Sequence, residues 1–367
     1  MAAIRGIPII IGGVHATLSP QQAFKDFPKA YAIVREPGEY PTINILEGKQ
    51  TNVPGVYFKE DNNSNRQDYA YPYPINQIPP INYAIWVPNP LTERKIETPQ
   101  GKKTVIKEIS LFESYGCPFE CTYCSTPVLI GRGQGRKTYS KPSTEKIMQD
   151  VKLALKTDAN AIHFLDDMFF ISPQDFIEFY EALSTLNLSE FYWRGMTRAP
   201  IIERFTDDQL KLLPQSGAWR ISIGVESGDE EILKRIKKHI HLDQVRRTVF
   251  RLRQAGIPQV KAFFIMGFPD ESLEQIENTR RFIMELKELG LTEISLFQFK
   301  PYPGTEEWNY LQEKKPHVLK NLSYMRRGDN KKMLVDAKLP DNLQISQVPS
   351  RIVEEVIEQT LREFYGK

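Results

Sequence analysis

The sequence predicts an α/β protein built around a partial parallel β/α barrel, and three observations lead there. Six short runs of apolar, β-branched and aromatic residues recur from residue 108 onward, each followed by a helical segment. Strict alternation of this kind gives a parallel sheet with helices outside it. The count stops at six, where a closed barrel of this type needs eight. The third observation is chemical: all three cysteines, Cys117, Cys121 and Cys124, fall in the loop directly after the first of these runs. The loops that follow the strands are where a parallel β/α enzyme keeps its chemistry.

In order along the chain, residues 8–13 read as a strand entering a Gly12-Gly13 turn, 21–27 as a short helix, 30–35 as a second strand and 40–46 as a turn of helix. Residues 56–105 are rich in Pro, Asn and Tyr and show no sustained period, so they read as a linker packed on a domain surface. The six strand-like runs are 108–112, 161–165, 190–193, 220–225, 260–266 and 293–299. Between them, Ile147, Val151 and Leu155 share one helical face. Ser172-Pro173-Gln174-Asp175 forms a capping signature that opens a helix with Phe176, Phe179, Tyr180 and Leu183 inward. Asp243 is placed to cap a helix ending at Gly256, and Ser272 one ending at Gly290. Residues 313–367 are charged, with one terminal helix over 352–364. The expected division is 1–55, 56–105, 106–312 and 313–367.

Composition narrows the function classes. Forty-one per cent hydrophobic residues suffice for a core, and Lys+Arg 48 against Asp+Glu 46 leaves a net charge of +2. Such a balance gives no support for nucleic-acid binding by bulk electrostatics. No apolar run approaches the roughly 18 residues of a membrane span, and the apolar start is too short for a secretion signal and ends in glycines. A cytoplasmic protein with reduced thiols is the expectation.

The spacing C-x-x-x-C-x-x-C is one ligand short of a closed site, because structural zinc and ordinary iron–sulfur clusters take four protein ligands. Three thiolates leave a metal position open for chemistry. A zinc site is the competing reading, but it needs a fourth Cys or a His, and the next histidine is His163. All five histidines, His15, His163, His239, His241 and His317, read as core or surface residues. Around the cysteines, Gly116 permits a sharp turn, Pro118 and Phe119 stiffen the loop, and Tyr123 can cover one side of a cluster.

The motif, with its aromatic residue before the last cysteine, resembles the hallmark of radical S-adenosylmethionine (SAM) enzymes, and the resemblance extends over roughly residues 107–310. It implies a partial (β/α)6 TIM-like barrel, with a small N-terminal α/β fragment and a helical C-terminal extension. It implies that Cys117, Cys121 and Cys124 hold three irons of a 4Fe–4S cluster whose fourth iron binds SAM. It further implies that Asp166 or Asp167 meets the SAM amino group, that Arg198 meets its carboxylate, that Glu226 and Ser227 contact ribose or methionine, and that backbone near Gly267 meets adenine. Pro301-Tyr-Pro-Gly304-Thr305 is sufficiently explained as a rigid turn before a helix capped by Thr305.

Because every cysteine is used, auxiliary clusters and protein-thiol methyl carriers have no ligands here. The N-terminal segments 7–17 and 32–42 resemble part of a cobalamin-binding Rossmann-like domain, with Gly12 and Gly13 near the cobalamin tail. A complete domain of that type needs about five strands, and the sequence before residue 56 has room for two. The leading expectation is a cobalamin-associated radical SAM C-methyltransferase, or a related radical enzyme, acting on a small molecule or peptide. An electron donor such as flavodoxin or ferredoxin is implied with it. The alternatives are a cobalamin-independent radical SAM cyclase or oxidoreductase and a non-catalytic metal-binding protein.

Overall fold

A computed structural model describes residues 7–49, 51–59, 69, 74–83, 91–131, 139–320, 325–327, 333–335, 339 and 343–366. In chain order the elements begin with β1 (Ile10–Ile11), α1 (Val14–Leu18), α2 (Pro20–Asp26), β2 (Ala32–Val34), α3 (Glu39–Leu46) and β3 (Val56–Phe58). They continue with β4 (Thr92–Glu97), β5 (Lys103–Leu111), β6 (Tyr115–Gly116), α4 (Thr126–Leu129), β7 (Tyr139–Ser140), α5 (Thr144–Ala154), β8 (Ala161–Phe164) and α6 (Pro173–Ser184). Next come β9 (Tyr192–Thr197), α7 (Ala199–Ile202), α8 (Asp207–Gln215), β10 (Ala218–Glu226), α9 (Glu230–Arg235), α10 (Leu242–Gln254), β11 (Gln259–Met266) and α11 (Leu273–Glu288). The chain ends with β12 (Glu293–Gln298), α12 (Glu306–Lys314), α13 (Pro316–Leu319), β13 (Met325–Arg327), β14 (Met333–Val335) and α14 (Ser350–Tyr365).

Contacts divide the chain into two compact units: Met1–Ile78 with Gly116–Ser140 and Lys300–Leu339, and Pro79–Tyr115 with Lys141–Phe299 and Pro340–Lys367. The second unit is the partial barrel. Its sheet has the order β12-β11-β10-β9-β8-β5-β4, in which the six predicted strands run parallel and β4 is antiparallel to β5. The outer face of this sheet is packed by helices. Phe164 stacks on Phe169 with centroids 3.9 Å apart, and Phe176, Phe179 and Trp193 close around them. Trp193, fully buried, donates its indole N–H to Ser216 Oγ at 2.9 Å. Burial of such a cluster is the main source of stability on this face.

The structure corrects several readings. The third strand is Tyr192–Thr197, not 190–193. Arg194 and Gly195 masked it. Arg194 is buried in an ion pair, and Gly195 lets Phe169 approach so closely that an added Cβ would lie 3.2 Å from Phe169 Cβ. Asp243 lies in the first turn of α10 and pairs with Arg246 at 2.7 Å, while His241 occupies the N-cap. Within residues 56–105, read as a linker, Val56–Phe58 forms a strand antiparallel to β2 and Thr92–Glu97 forms the antiparallel edge β4. Residues 60–68, 70–73 and 84–90 of that stretch lie outside the described residues, as do parts of the charged segment 313–367. Ser172 and Ser272 cap their helices as expected, each accepting a backbone N–H three residues on.

The terminal helix α14 belongs to the barrel unit and lies along its last strand. Gln298 Nε2 donates to Ser350 O at 3.0 Å. Tyr365 Oη accepts from Ile294 N at 3.0 Å and donates to Ile294 O at 3.1 Å, occupying both edge groups of that residue.

The first unit holds the three-stranded sheet β1-β2-β3, in which β1 and β2 are parallel. Its two faces are covered by Ala16, Ala23, Ile33 and Tyr57 on one side and Val34, Val53, Val56 and Phe58 on the other.

Candidate active site

The cysteine loop lies in the first unit. Gly116 turns the chain with φ 81°, the left-handed conformation that glycine adopts at no steric cost. Cys121 is buried, Cys117 and Cys124 are half-buried, and none forms a disulfide. Cys124 N donates to Cys121 O at 3.1 Å, so the last two cysteines sit on one tight turn, with half-buried Tyr123 between them. The short helix α4 follows at once.

This loop is held by residues far away in sequence. Thr122 Oγ1 donates to Glu307 Oε1 at 2.8 Å, and Glu307 N donates to Thr122 O at 3.2 Å. Glu307 lies in the first turn of α12, whose N-cap is Thr305, accepting from Trp308 N at 3.1 Å. Gly304 packs so tightly on α4 that a Cβ there would fall 2.9 Å from Val128 Cγ1. Tyr69 Oη donates to Val128 O at 2.8 Å, and Arg35 lies 3.7 Å above the Tyr69 ring. Tyr69, Thr122, Val128, Gly304 and Thr305 border a cavity of about 320 Å³ onto which Cys121 and Cys124 open. The turn before α12, expected only to be rigid, is therefore also the seat of the cysteine loop.

The donor set fits a cluster rather than a single ion. Among the described residues no three His, Cys, Asp or Glu side chains converge on one metal position. Cysteines that each ligate a different iron of a cubane need not converge, and thiolates are the ligands such clusters take.

The second group of residues lies at the carboxyl ends of the barrel strands. After β9, Arg198 is buried at the N-cap of α7 and donates to Lys238 O. At the end of β10, Glu226 sits at a break in register with φ 76°, a strained conformation for a residue with a side chain. Its carboxylate accepts from Lys238 Nζ at 2.7 Å, and both side chains are buried. This ion pair fills the place where a side chain at Gly224 would stand, with Glu226 Oε1 and Lys238 Nζ each 2.7 Å from such a Cβ. Lys238 is the member of this group that sequence reading missed. It lies between Lys237 and His239, both at positive φ, and carries no periodic signal.

Asp166 and Asp167 have different surroundings. Asp166 is buried and accepts from the backbone N–H groups of Glu113 (3.2 Å) and Ser114, so it fixes the chain just after β5. Burial raises its pKa, and those hydrogen bonds oppose the rise. Asp167 is half-buried. Ser227 is fully buried and engaged within the fold: its Oγ lies 3.2 Å from Thr279 Oγ1 and accepts from Asp229 N at 3.1 Å. Gly267 turns with φ 88°, and its N–H donates at 2.5 Å to Glu271 Oε2, which also takes Phe268 N–H at 3.0 Å. Glu271 is fully buried, and burial pushes its pKa up to about 7.

In the first unit, Gly13 caps α1 at φ 88° and Thr17 Oγ1 donates to its carbonyl at 3.0 Å. A Cβ at Gly13 would meet nothing within 4 Å, and one at Gly12 would meet only Val34 O at 3.6 Å. These glycines serve the turn and leave open space beside it.

Two readings of the sequence missed charged groups altogether. Glu113, buried beside Asp150 and Asp166, has its pKa pushed up to about 8, first by burial and then by those two carboxylates. The concave face of the sheet also carries a set of ion pairs between strands.

The sequence profile of the radical SAM superfamily matches residues 114–283. The chain is 27% identical over 314 residues to an uncharacterized methyltransferase of Pyrococcus horikoshii, covering 82% of this chain and 62% of that one. It is 30% identical over 196 residues to the hopanoid C-3 methylase of Methylococcus capsulatus, covering 53% of this chain and 35% of that one. The chain thus spans less than two-thirds of the length of these relatives. The cobalamin-dependent SAM radical enzyme OxsB, solved with aqua-cobalamin and SAM bound, superposes with a TM-score of 0.65 at 17% identity, over 97% of this chain and 54% of OxsB. Among the described residues no helix is long and apolar enough to cross a membrane. Residues 114–283 thus match the radical SAM superfamily, and the chain shares its fold with OxsB.

Proposed function

We propose that this chain cleaves SAM reductively, with Cys117, Cys121 and Cys124 holding a single 4Fe–4S cluster. The observation behind this reading is that the chain's only three thiols share one eight-residue loop within the matched domain, anchored by Glu307 and opening on a cavity. When bound, such a cluster supplies the electron that breaks the sulfonium C–S bond of SAM, giving methionine and a 5′-deoxyadenosyl radical. The chain's own residues bind and orient. Glu226 offers a carboxylate acceptor to ribose hydroxyls, while Lys238 and Arg198 place positive charge for the methionine carboxylate. Asp166 is committed to backbone amides, so this reading assigns the SAM ammonium to Asp167. Ser227, engaged with Thr279 and Asp229, is left out of the binding set. The turn at Gly267, fixed by Glu271, meets adenine through backbone groups.

The reaction that follows is C-methylation of a small molecule or peptide, in line with the methyltransferase names among the relatives. Reducing equivalents come from a small electron-transfer protein such as flavodoxin or ferredoxin. A radical reaction without cobalamin is the second reading, favoured by the sheet beside Gly12 and Gly13, which has three strands among the described residues where a complete domain of that type has about five. Anaerobic reconstitution should give about four irons per chain and a broad brown absorbance, and dithionite with SAM should then release 5′-deoxyadenosine. A colourless protein carrying zinc would overturn the proposal. Deoxyadenosine without retention of added hydroxocobalamin selects the second reading over the first.

A further inference from the structure

One group of charged side chains on the barrel unit lies outside the SAM-binding set proposed above. On the concave face of the sheet, two carboxylates each hold two cations from other strands. Glu108 on β5 takes Arg194 of β9 in a bidentate pair, both bonds 2.7 Å, and Arg94 of β4 at 2.7 Å. Glu293 on β12 takes Arg220 of β10 and Lys261 of β11, each at 2.8 Å. Both arrangements skip a strand, Arg194 to Glu108 across β8 and Arg220 to Glu293 across β11. Such reach follows from the curl of the sheet.

The charges do not balance. Arg94, Arg194, Arg220 and Lys261 face Glu108 and Glu293, four cations against two anions, a surplus of two. Their field reaches His163 on β8, whose pKa falls to about 4 through burial first and then through Arg194, with Arg94 and Lys261 adding to it. A second observation sits beside Glu293. Arg220 is 8% exposed, and among the described residues its Nε–H has no hydrogen-bond partner. Neighbouring Trp219, 2% exposed, has an indole N–H that is likewise unpartnered, and the Arg220 guanidinium lies 5.0 Å from its ring. Two adjacent buried donors without an acceptor are rare in folded proteins and call for an acceptor from outside. The approach is open on this side, where Lys261 and Glu293 side chains keep 15% and 29% exposure and Phe297 on β12 keeps 49%.

We propose that Arg220 and Lys261 receive an oxyanion of the substrate, a carboxylate or a phosphate, with the apolar remainder lying along Phe263 and Phe297. The proposal deepens the reading of the chain as an enzyme by naming its substrate class, and it rests on that reading. It is tested without turnover. Inorganic phosphate and, separately, succinate are titrated into the full chain at constant ionic strength against chloride, with tryptophan fluorescence as the readout. A saturable change is expected for at least one anion, and its absence in Trp219→Phe assigns the signal to this face. The tighter of the two anions names the source of the charge. Arg220→Met and Lys261→Met should each weaken binding about tenfold, which is roughly 1.4 kcal/mol, while Glu293→Gln, by removing the competing carboxylate, should tighten it. Lys261→Met keeps the test valid if Arg220→Met fails to fold, and circular dichroism reports which has happened. A response no greater than that of chloride, or one unchanged in Lys261→Met, overturns the proposal. Because no SAM cleavage is involved, this failure is separate from failure of the radical reading.

Discussion

Thr122 and Glu307 are 185 residues apart and hold each other by two hydrogen bonds, hydroxyl to carboxylate at 2.8 Å and backbone N–H to carbonyl at 3.2 Å. The carboxylate is buried. Removing the hydroxyl in Thr122→Val should therefore destabilise the loop by roughly 1–3 kcal/mol. The expected result is faster loss of iron from the reconstituted protein to a chelator, with Thr122→Ser close to the parent. Identical iron-loss rates for Thr122→Val and the parent would show that Glu307 does not position the cysteines.

The Glu226–Lys238 pair makes a different prediction. Both side chains are under one-tenth exposed, and breaking a buried pair from one side leaves an uncompensated charge worth roughly 3–5 kcal/mol. Glu226→Gln and Lys238→Met should each lower the urea midpoint strongly, and the double variant should recover much of the loss. A double variant as unstable as the sum of the two singles would mean that the residues do not act as a pair.

Gly228 is a position where only glycine fits. A Cβ would stand 2.6 Å from Phe282 Cβ, 2.7 Å from Thr279 Cα and 2.9 Å from Asn278 O, two of these being backbone atoms of α11. Gly228→Ala should cost about 1–3 kcal/mol by overpacking. Thermal denaturation compared with Gly48→Ala, which has open space but a positive φ, separates the clash from backbone strain. Equal losses in the two would refute the packing argument.

Glu113 links stability to pH. Its pKa rises from 4.5 to about 8 on folding, through burial and the nearby Asp150 and Asp166. The folded state thus holds a proton that the unfolded state has released between these values. The stabilisation is complete below the unfolded pKa and is lost as pH rises through the folded one. Urea unfolding from about pH 5 to about pH 9 should show stability falling more steeply in the parent than in Glu113→Gln, by at most about 1.4 kcal/mol per pH unit. Parallel curves would mean that Glu113 ionises as freely in the fold as outside it.

What was legible in the sequence was local. The alternation of strands and helices shows through because Ile, Val and Phe repeat at the periods of each element, and the cysteine cluster shows because its members are adjacent. Less legible were the residues whose partners are distant. Arg194 reads as a break in a strand until Glu108, 86 residues earlier, is known to neutralise it. Lys238 and Glu307 are ordinary charged residues in sequence, and their burial follows from Glu226 and Thr122. β4 was taken for linker because Thr-Glu-Arg-Lys-Ile-Glu carries charge on both faces, as an edge strand with one solvated side can. Asp166 and Asp167 could not be told apart from position alone; the amides of Glu113 and Ser114 separate them.

An unclosed barrel has two raw margins, each a row of amides able to recruit a strand from another molecule. The two are treated differently here. On β4 the margin is studded with Glu93, Arg94, Lys95 and Glu97, which repel an incoming apolar strand. On β12 the phenol of Tyr365 occupies both groups of Ile294. The last helix thus acts as a selvedge for the sheet: it lets a six-unit barrel stop short of closure without becoming a template for fibrils.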